Sequence, residues 1–299
     1  MRALVACLCA FAGAGACAPL LDVDRAPCDG VACAAGFSCC DGICIDAAEP
    51  CLGACAAPVS SDASDRYQPF VSGSVWVYEE TTSGTGQFEN YKHLRLGAEE
   101  DLAPVADGRA HRLCREDRSF EDATNSGAIR WERDTGESAV WVRNLRIDAS
   151  GVTKDEVTIP YAVRVDESPA RLCVGAAFDT SWTSRTVNDP ASCVDGPAVC
   201  PTTDTAVPER WLVEAIDEPV DVPGQGAMPS LRATRTMTVA GVDEVKTFWF
   251  VRGIGKVKEV VPTDDTESLL FFDIPGVATG GDNPFRPLSE CDAAWWPSF

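Results

Sequence analysis

The stretch "LRATRTMTV", Leu231 to Val239, alternates residue by residue: Leu231, Ala233, Met237 and Val239 fall on one face, and Arg232, Thr234, Thr236 and Thr238 on the other. A period of two is that of a half-buried antiparallel strand, whose side chains point alternately to the core and to water. Short runs of similar character recur at 74–81, 89–96, 128–133, 139–147, 209–216, 246–251 and 256–261, with Gly, Pro, Asp and Asn between them. No window keeps a helical period beyond two turns. The pattern predicts an all-β body over residues 67–275, an antiparallel sandwich or half-barrel, followed by a C-terminal tail at 276–299. Eight Trp in 299 residues are enough to fill its core.

Ahead of the body lies a different kind of sequence. Residues 28–55, "CDGVACAAGFSCCDGICIDAAEPCLGAC", carry seven cysteines (Cys28, Cys33, Cys39, Cys40, Cys44, Cys51 and Cys55) among Gly and Asp, with few large apolar side chains. Such a segment cannot build an apolar core, so disulfides must hold it. The adjacent pair Cys39 and Cys40 resembles small disulfide-knot modules of toxins, protease inhibitors and extracellular spacers. The first six cysteines fit a knot pairing of Cys28 with Cys40, Cys33 with Cys44 and Cys39 with Cys51. A zinc site is disfavoured, because neither His93 nor His111 lies nearby. Residues 56–66, "AAPVSSDASDR", read as a linker.

The first residues decide the compartment. Arg2 is followed by an uncharged stretch, Ala3 to Ala16, ending in small residues, which is the layout of a signal peptide over 1–16. It is too short to span a bilayer. Cleavage at Ala14-Gly15-Ala16 would leave Cys17 free or disulfide-bonded, giving a plain secreted protein. Alternatively, "AGAC" resembles a bacterial lipobox, with Ala14 where Leu is usual, and Cys17 would then carry lipid at the start of a tether, 17–27. Fifteen cysteines, less Cys7 and Cys9 of the leader, leave thirteen; lipid on Cys17 leaves twelve, which can all pair. Parity therefore favours the lipoprotein, held on the cell envelope, at the outer membrane or cell surface, without entering the membrane. In the body, Cys193 can close a short loop with Cys200 and Cys114 can bridge strands to Cys173, leaving Cys55 for Cys291.

Charge and motif content narrow the function. Asp and Glu number 46 against 25 Lys and Arg, a formal charge of −21 that repels a nucleic-acid backbone. No G-x-S-x-G elbow or H-E-x-x-H helix is present. His93 in "YKHLRL" and His111 in "AHRLC" read as strand surface residues rather than catalytic bases. Carboxylate pairs such as Glu99 with Glu100 and Asp264 with Asp265 read as solvated loop charge, and Asp22, Asp24 and Asp29 lack the spacing of a calcium loop. Trp76, Trp131, Trp141, Trp182, Trp211 and Trp249 read as core, with a ligand groove as the alternative. Phe299 ends "WWPSF", but Pro297 and the lack of a long alternating strand set it apart from outer-membrane barrel termini.

"PFVSGSVWVYEE", Pro69 to Glu80, resembles the opening P-L-x-x-G-x-x-W-x-Y strand of an uncharacterised β-rich domain of bacterial lipoproteins. "TFWFVRGIGKVKEVV", Thr247 to Val261, is similar to that domain's closing hairpin, and "IDEPVDVPGQGAM", Ile216 to Met228, stands in the place of its V-x-V-P-x-G loop. Architectural relatives of that domain include half-barrels that hold lipid chains. The resemblance thus implies a scaffold, or a binder of a hydrophobic ligand or another envelope protein, with no catalysis, cofactor or metal. Inhibition of a protease by the Cys-rich module and extracellular hydrolysis remain the alternatives. The expected consequence of the anchor is direct: Cys17→Ser should move the protein from the membrane pellet to the soluble fraction, and continued sedimentation with membranes would contradict lipid attachment.

Overall fold

The computed structural model describes residues 37–40, 43–46, 55–103, 106, 108–118, 126–148, 151–188, 201–262 and 265–283. The chain divides into two compact units, Met1–Ala54 and Cys55–Phe299. In the first, β1 (Phe37–Cys40) and β2 (Ile43–Asp46) form an antiparallel hairpin with Cys39 opposite Cys44. Lipid attachment at Cys17, the Asp22 to Asp29 cluster, the knot pairing among Cys28 to Cys51, and Cys193, Cys200, Asp264, Cys291 and Phe299 lie outside what is described.

The second unit is an antiparallel meander. Its strands are β3 (Val75–Thr82), β4 (Phe88–Asp101), β5 (Arg109–Arg118), β6 (Ser126–Asp134), β7 (Ser138–Asp148), β8 (Gly151–Asp166), β9 (Ala177–Asn188), β10 (Thr203–Val222), β11 (Gly226–Val239), β12 (Val242–Val251), β13 (Gly255–Val260), β14 (Asp265–Ile274) and β15 (Ala278–Gly281). Each of β3 to β14 pairs with the next, and β14 pairs back to β3 from Asp265↔Thr82 to Asp273↔Val75. The result is a closed ring of twelve strands, with β15 prolonging the sheet beside β14. The body is all-β and antiparallel, but it is neither a sandwich nor a half-barrel. The polar opening of β14, "DTES", hid the strand whose pairing removes the two free edges. The sheet also runs past the boundary at 275, to Gly281.

In a meander, successive turns fall at opposite ends of the ring. The chain's entry segment, 55–73, lies across one of them. Cys55 is bonded to Cys173, and Ala56 N–H donates to Leu172 O at 2.8 Å. Arg66, 3 % exposed, donates from Nε to Glu167 and from both terminal nitrogens to Asp134 at 3.0 Å, while Glu167 also accepts from Gln68 N–H. Arg252 pairs with Asp65 at 2.6 Å. The stretch read as a linker is thus strapped over the turns of β6–β7, β8–β9 and β12–β13. Above it, the inward side chains Trp76, Tyr78, Leu94, Leu96, Leu113 and Ile254 pack an apolar floor, pinned where Trp76 Nε1 donates to Ile254 O and the Tyr78 hydroxyl to Lys256 O, both at 2.7 Å.

Cys55 pairs with Cys173, so the expected bonds Cys114–Cys173 and Cys55–Cys291 do not form; Cys114 is held in a disulfide of its own. The antiparallel bridge between Cys55 and Cys173 brings the entry strand beside the β8–β9 link, a contact that sequence separation concealed. Counting Cys55 with the body leaves six cysteines in the Cys-rich stretch, Cys28 to Cys51, and six from Cys55 onward.

On the outer wall, β10 and β11 outrun their neighbours. β10 pairs with β9 only from Thr203 to Leu212, and the far end of the β10–β11 hairpin reaches β15, where Gln225 Nε2 donates to Thr279 O at 3.1 Å. Gly280 makes room, since a Cβ there would stand 2.2 Å from Pro223 O. The outward positions of β9 and β10 carry the cross-strand pairs Arg185–Asp204 and Arg210–Asp179, all roughly half exposed or more.

Gly253 in the β12–β13 turn has φ +73°, and a Cβ there would meet Ser64 O at 2.9 Å. Gly253→Ala is expected to lower unfolding free energy by about 1–3 kcal/mol, from left-handed backbone strain plus displacement of the strap. Denaturant titration checks this; an unchanged midpoint would mean that the strap does not bear on that turn.

Candidate functional site

A ring of eight strands is just filled by its own side chains, and a wider one leaves room. Here the interior holds a cavity of about 370 Å³, lined from ten of the twelve strands, β4 to β9 and β11 to β14. Its lining includes nine cations, Lys92, Arg115, Arg130, Arg146, Lys154, Arg164, Arg235, Lys246 and Lys256, against four carboxylates, Glu156, Glu244, Glu259 and Glu267. In a chain whose acids outnumber its bases nearly two to one, the inside reverses the balance of the whole.

Burial grades along the barrel axis. Glu244 is 41 % exposed and Lys154 28 %, both near the end opposite the strap, whereas Lys92, Lys256, Glu259 and Glu267 are below 10 %. The cavity therefore opens at the end away from the entry segment. Alternation places most of these side chains inside, two apart along a strand, as in Arg235 and Met237 or Glu244, Lys246 and Phe248, with a spacing of three at Trp141 and Asn144 and at Lys256 and Glu259.

One side of the interior is an ion-pair network. Lys92 reaches Glu80 and Glu267, and Lys256 reaches both Glu267 and Glu259, at 2.5 Å each. Lys246 adds a contact to Glu259 at 3.3 Å. Burial alone would raise both carboxyls, but the lysine ammoniums outweigh it and hold Glu259 at about 2 and Glu267 well below the ordinary value.

Elsewhere compensation is incomplete. Glu132, fully buried, is shared by Arg164 at 3.3 Å and Arg130 at 4.0 Å, and Arg235 stands 3.9 Å from Glu209. Arg130 lies over the Trp141 ring at 5.2 Å, and Arg235 over Trp211 and Phe248 at 5.7 and 5.4 Å. Burial, then the neighbouring Arg164, pulls Arg130 down to about 10, and burial lowers Arg235 as well. The Nε–H groups of Arg130 and Arg235 are buried and donate to no acceptor among the described residues. Arg146 makes no ion pair among them either. Replacing buried ion pairs by apolar side chains of similar volume is often neutral or stabilising, so fold stability does not account for nine cations in a lumen. Charged groups converging on one cavity make it a candidate binding site.

Several residues singled out in the sequence lie elsewhere. His93 is fully buried on β4, not on the surface: its cross-strand neighbours Val77 and Glu116 are buried with it, so the outer face there is covered. His111 is half-buried on β5, its Nδ1 3.1 Å from Gly97 O and its ring 5.5 Å from Phe70. Neither lines the cavity. Glu99 and Glu100 are not free loop charge but strand residues paired with Arg109 and Arg112. Trp131 packs in a separate apolar cluster with Ile129, Val140, Val142 and Leu145, while Trp141 and Trp182 meet edge to face at 5.1 Å in the cavity wall. Trp249 is only half-buried and stacks under Lys258 at 5.0 Å. The cavity's cations escaped the sequence reading, which passed over Arg235 between Ala233 and Met237. A charge at an inward position of an alternating strand was the available signal.

No protein-family model matches the chain, and no curated protein matches it. Among solved structures, a candidate exported protein with a YmcC-like fold from Bacteroides fragilis covers 66 % of this chain and 94 % of its own, at 9 % identity and a TM-score of 0.35.

Because Glu259 and Glu267 are held below the ordinary 4.5, the stability they contribute is complete above that value and drains as pH falls toward 2. Glu267→Gln leaves Lys92 and Lys256 short of a partner and should cost about 3–5 kcal/mol at neutral pH. Denaturant titrations at pH 7 and pH 3 should show a steep acid loss in the parent protein and a shallower one in the variant; parallel losses would contradict the network's role.

Proposed function

We propose that this chain is an exported, lipid-anchored binding module whose barrel interior holds a small ligand. The observation that carries the reading is the cavity inside the ring, open at one end and floored at the other, lined by nine cations and four carboxylates. Export and anchoring rest on the leader and on Cys17, and the cysteine count supports them: beyond the leader, six cysteines lie at 28–51 and six from Cys55 onward, and Cys17 is the odd one out. An outer wall carrying exposed ion pairs suits a domain tethered above a membrane rather than inserted in it.

The chemistry of the cavity favours binding over catalysis. Its most buried carboxylates are tied to lysines and held at low pKa, so they are weak bases and do not carry a proton to give at neutral pH. It also shifts the ligand away from a purely hydrophobic one, because an acyl chain would leave the interior guanidiniums desolvated without return. Native mass spectrometry of the full-length, membrane-extracted protein tests the reading. We expect a small-molecule adduct that is lost on unfolding; a folded barrel that carries none, and whose melting temperature no metabolite fraction raises, would leave a structural scaffold instead.

A further inference from the structure

We infer that the ligand is an organic phosphate monoester, its phosphate seated against Arg115, Arg130 and Arg146 and its body against Trp141 and Trp182; this rests on the barrel interior being the binding site. Strand register sets the cations in one row. Arg115 on β5 stands opposite Ala128 on β6, Ala128 opposite Arg146 on β7, and Arg146 opposite Lys154 on β8. Directly opposed side chains lie about 5 Å apart at Cβ. Arg130 is two residues along β6 from Ala128 and therefore on the same inward face, and all five residues line the cavity.

Ala128 is thus a small residue with a guanidinium on either side along the row and a third above it on its own strand. Three side chains of like charge around one methyl group, with Lys154 beyond Arg146, repel one another, as the pull of Arg115 on Arg130 shows. The protein compensates them only in part. Arg115 has Asp117 at 2.7 Å and Lys154 has Glu156 at 3.5 Å, whereas Arg130 has a 4.0 Å share of Glu132 and Arg146 has no ion pair among the described residues. Two cations short of partners match a dianion, and the planar, forked donors of arginine match its tetrahedral oxygens. The Ala128 methyl leaves the space that such a group fills. Asn144, opposite Arg130 and buried, lines the cavity at the same level, and its amide oxygen accepts from no donor among the described residues. The edge-to-face Trp141–Trp182 pair beside Arg130 offers an apolar wall for the flat or hydrocarbon part of the ester.

Isothermal titration of the full-length protein with phenyl phosphate, benzoate and neutral phenyl glucoside decides the matter. We expect phenyl phosphate to bind saturably and more tightly than the other two, with affinity falling as salt is raised. Arg146→Gln, at the exposed end of the row, should weaken it roughly tenfold, the loss of one charge-assisted contact, and Ala128→Leu, which keeps every charge, should abolish it. Benzoate or the glucoside binding as tightly as phenyl phosphate, or phenyl phosphate binding undiminished in Ala128→Leu, would overturn the phosphate inference and leave the barrel a binding module. Heat from none of the three, in a barrel shown by native mass spectrometry to carry another molecule, would overturn the inference alone. Heat from none and no adduct would overturn both.

Discussion

The pairing of β14 with β3 is the constraint on which the rest depends. Until the last long strand joins the first, the meander has two free edges, and its inward charges face open water. Once Asp265 to Asp273 lie along Thr82 to Val75, Glu267 is brought to Lys92 across that seam and to Lys256 from the other side. Closure thus joins the Lys92–Glu80 pair of β3 and β4 to the Lys256, Glu259 and Glu267 cluster of β13 and β14. The lysines and glutamates there are costly to desolvate, and the contact between Lys92 and Glu267 exists only once the seam is formed.

Closure needs a stopper, and the entry segment supplies it. The Cys55–Cys173 disulfide, the Arg66–Glu167–Asp134 cluster and the Arg252–Asp65 pair fix residues 55–66 across three turns at one end. Twelve strands leave a lumen wider than side chains alone fill. With an apolar floor above the strap and a charged middle, the interior becomes a cup. Nothing in this arrangement asks the wall for lipid-facing side chains, and the outer faces of β9 and β10 carry ion pairs instead.

How much of this was legible in the sequence follows from where the charges point. Strands β3, β10, β11 and β12 showed themselves because their apolar and polar positions alternate in the ordinary sense. β5, β8, β9 and β14 went unnamed: "HRLCRED", "TKDEVTI", "TSWTSRT" and "DTESLL" put Arg115, Lys154, Glu156 and Glu267 at inward positions, where an alternation search expects apolar side chains. The same inversion concealed the site. A lumen lined with arginine looks, residue by residue, like a solvated face, and only the register that sets Arg115, Ala128 and Arg146 in one row reveals it. The disulfide was hidden for a different reason, since cysteine spacing constrains pairing only through the path of the intervening chain.

Apart from the lysine–glutamate network of the seam, Arg115, Arg130 and Arg146 form an anion site inside the barrel. A crystal structure of the protein soaked in sodium tungstate, a tetrahedral dianion with a strong anomalous signal, tests it most directly. The account expects an anomalous peak inside the ring, between the guanidiniums of Arg115, Arg130 and Arg146 and above the Ala128 methyl. Tungstate confined to the outer wall, with the interior guanidiniums paired among protein carboxylates, would contradict it.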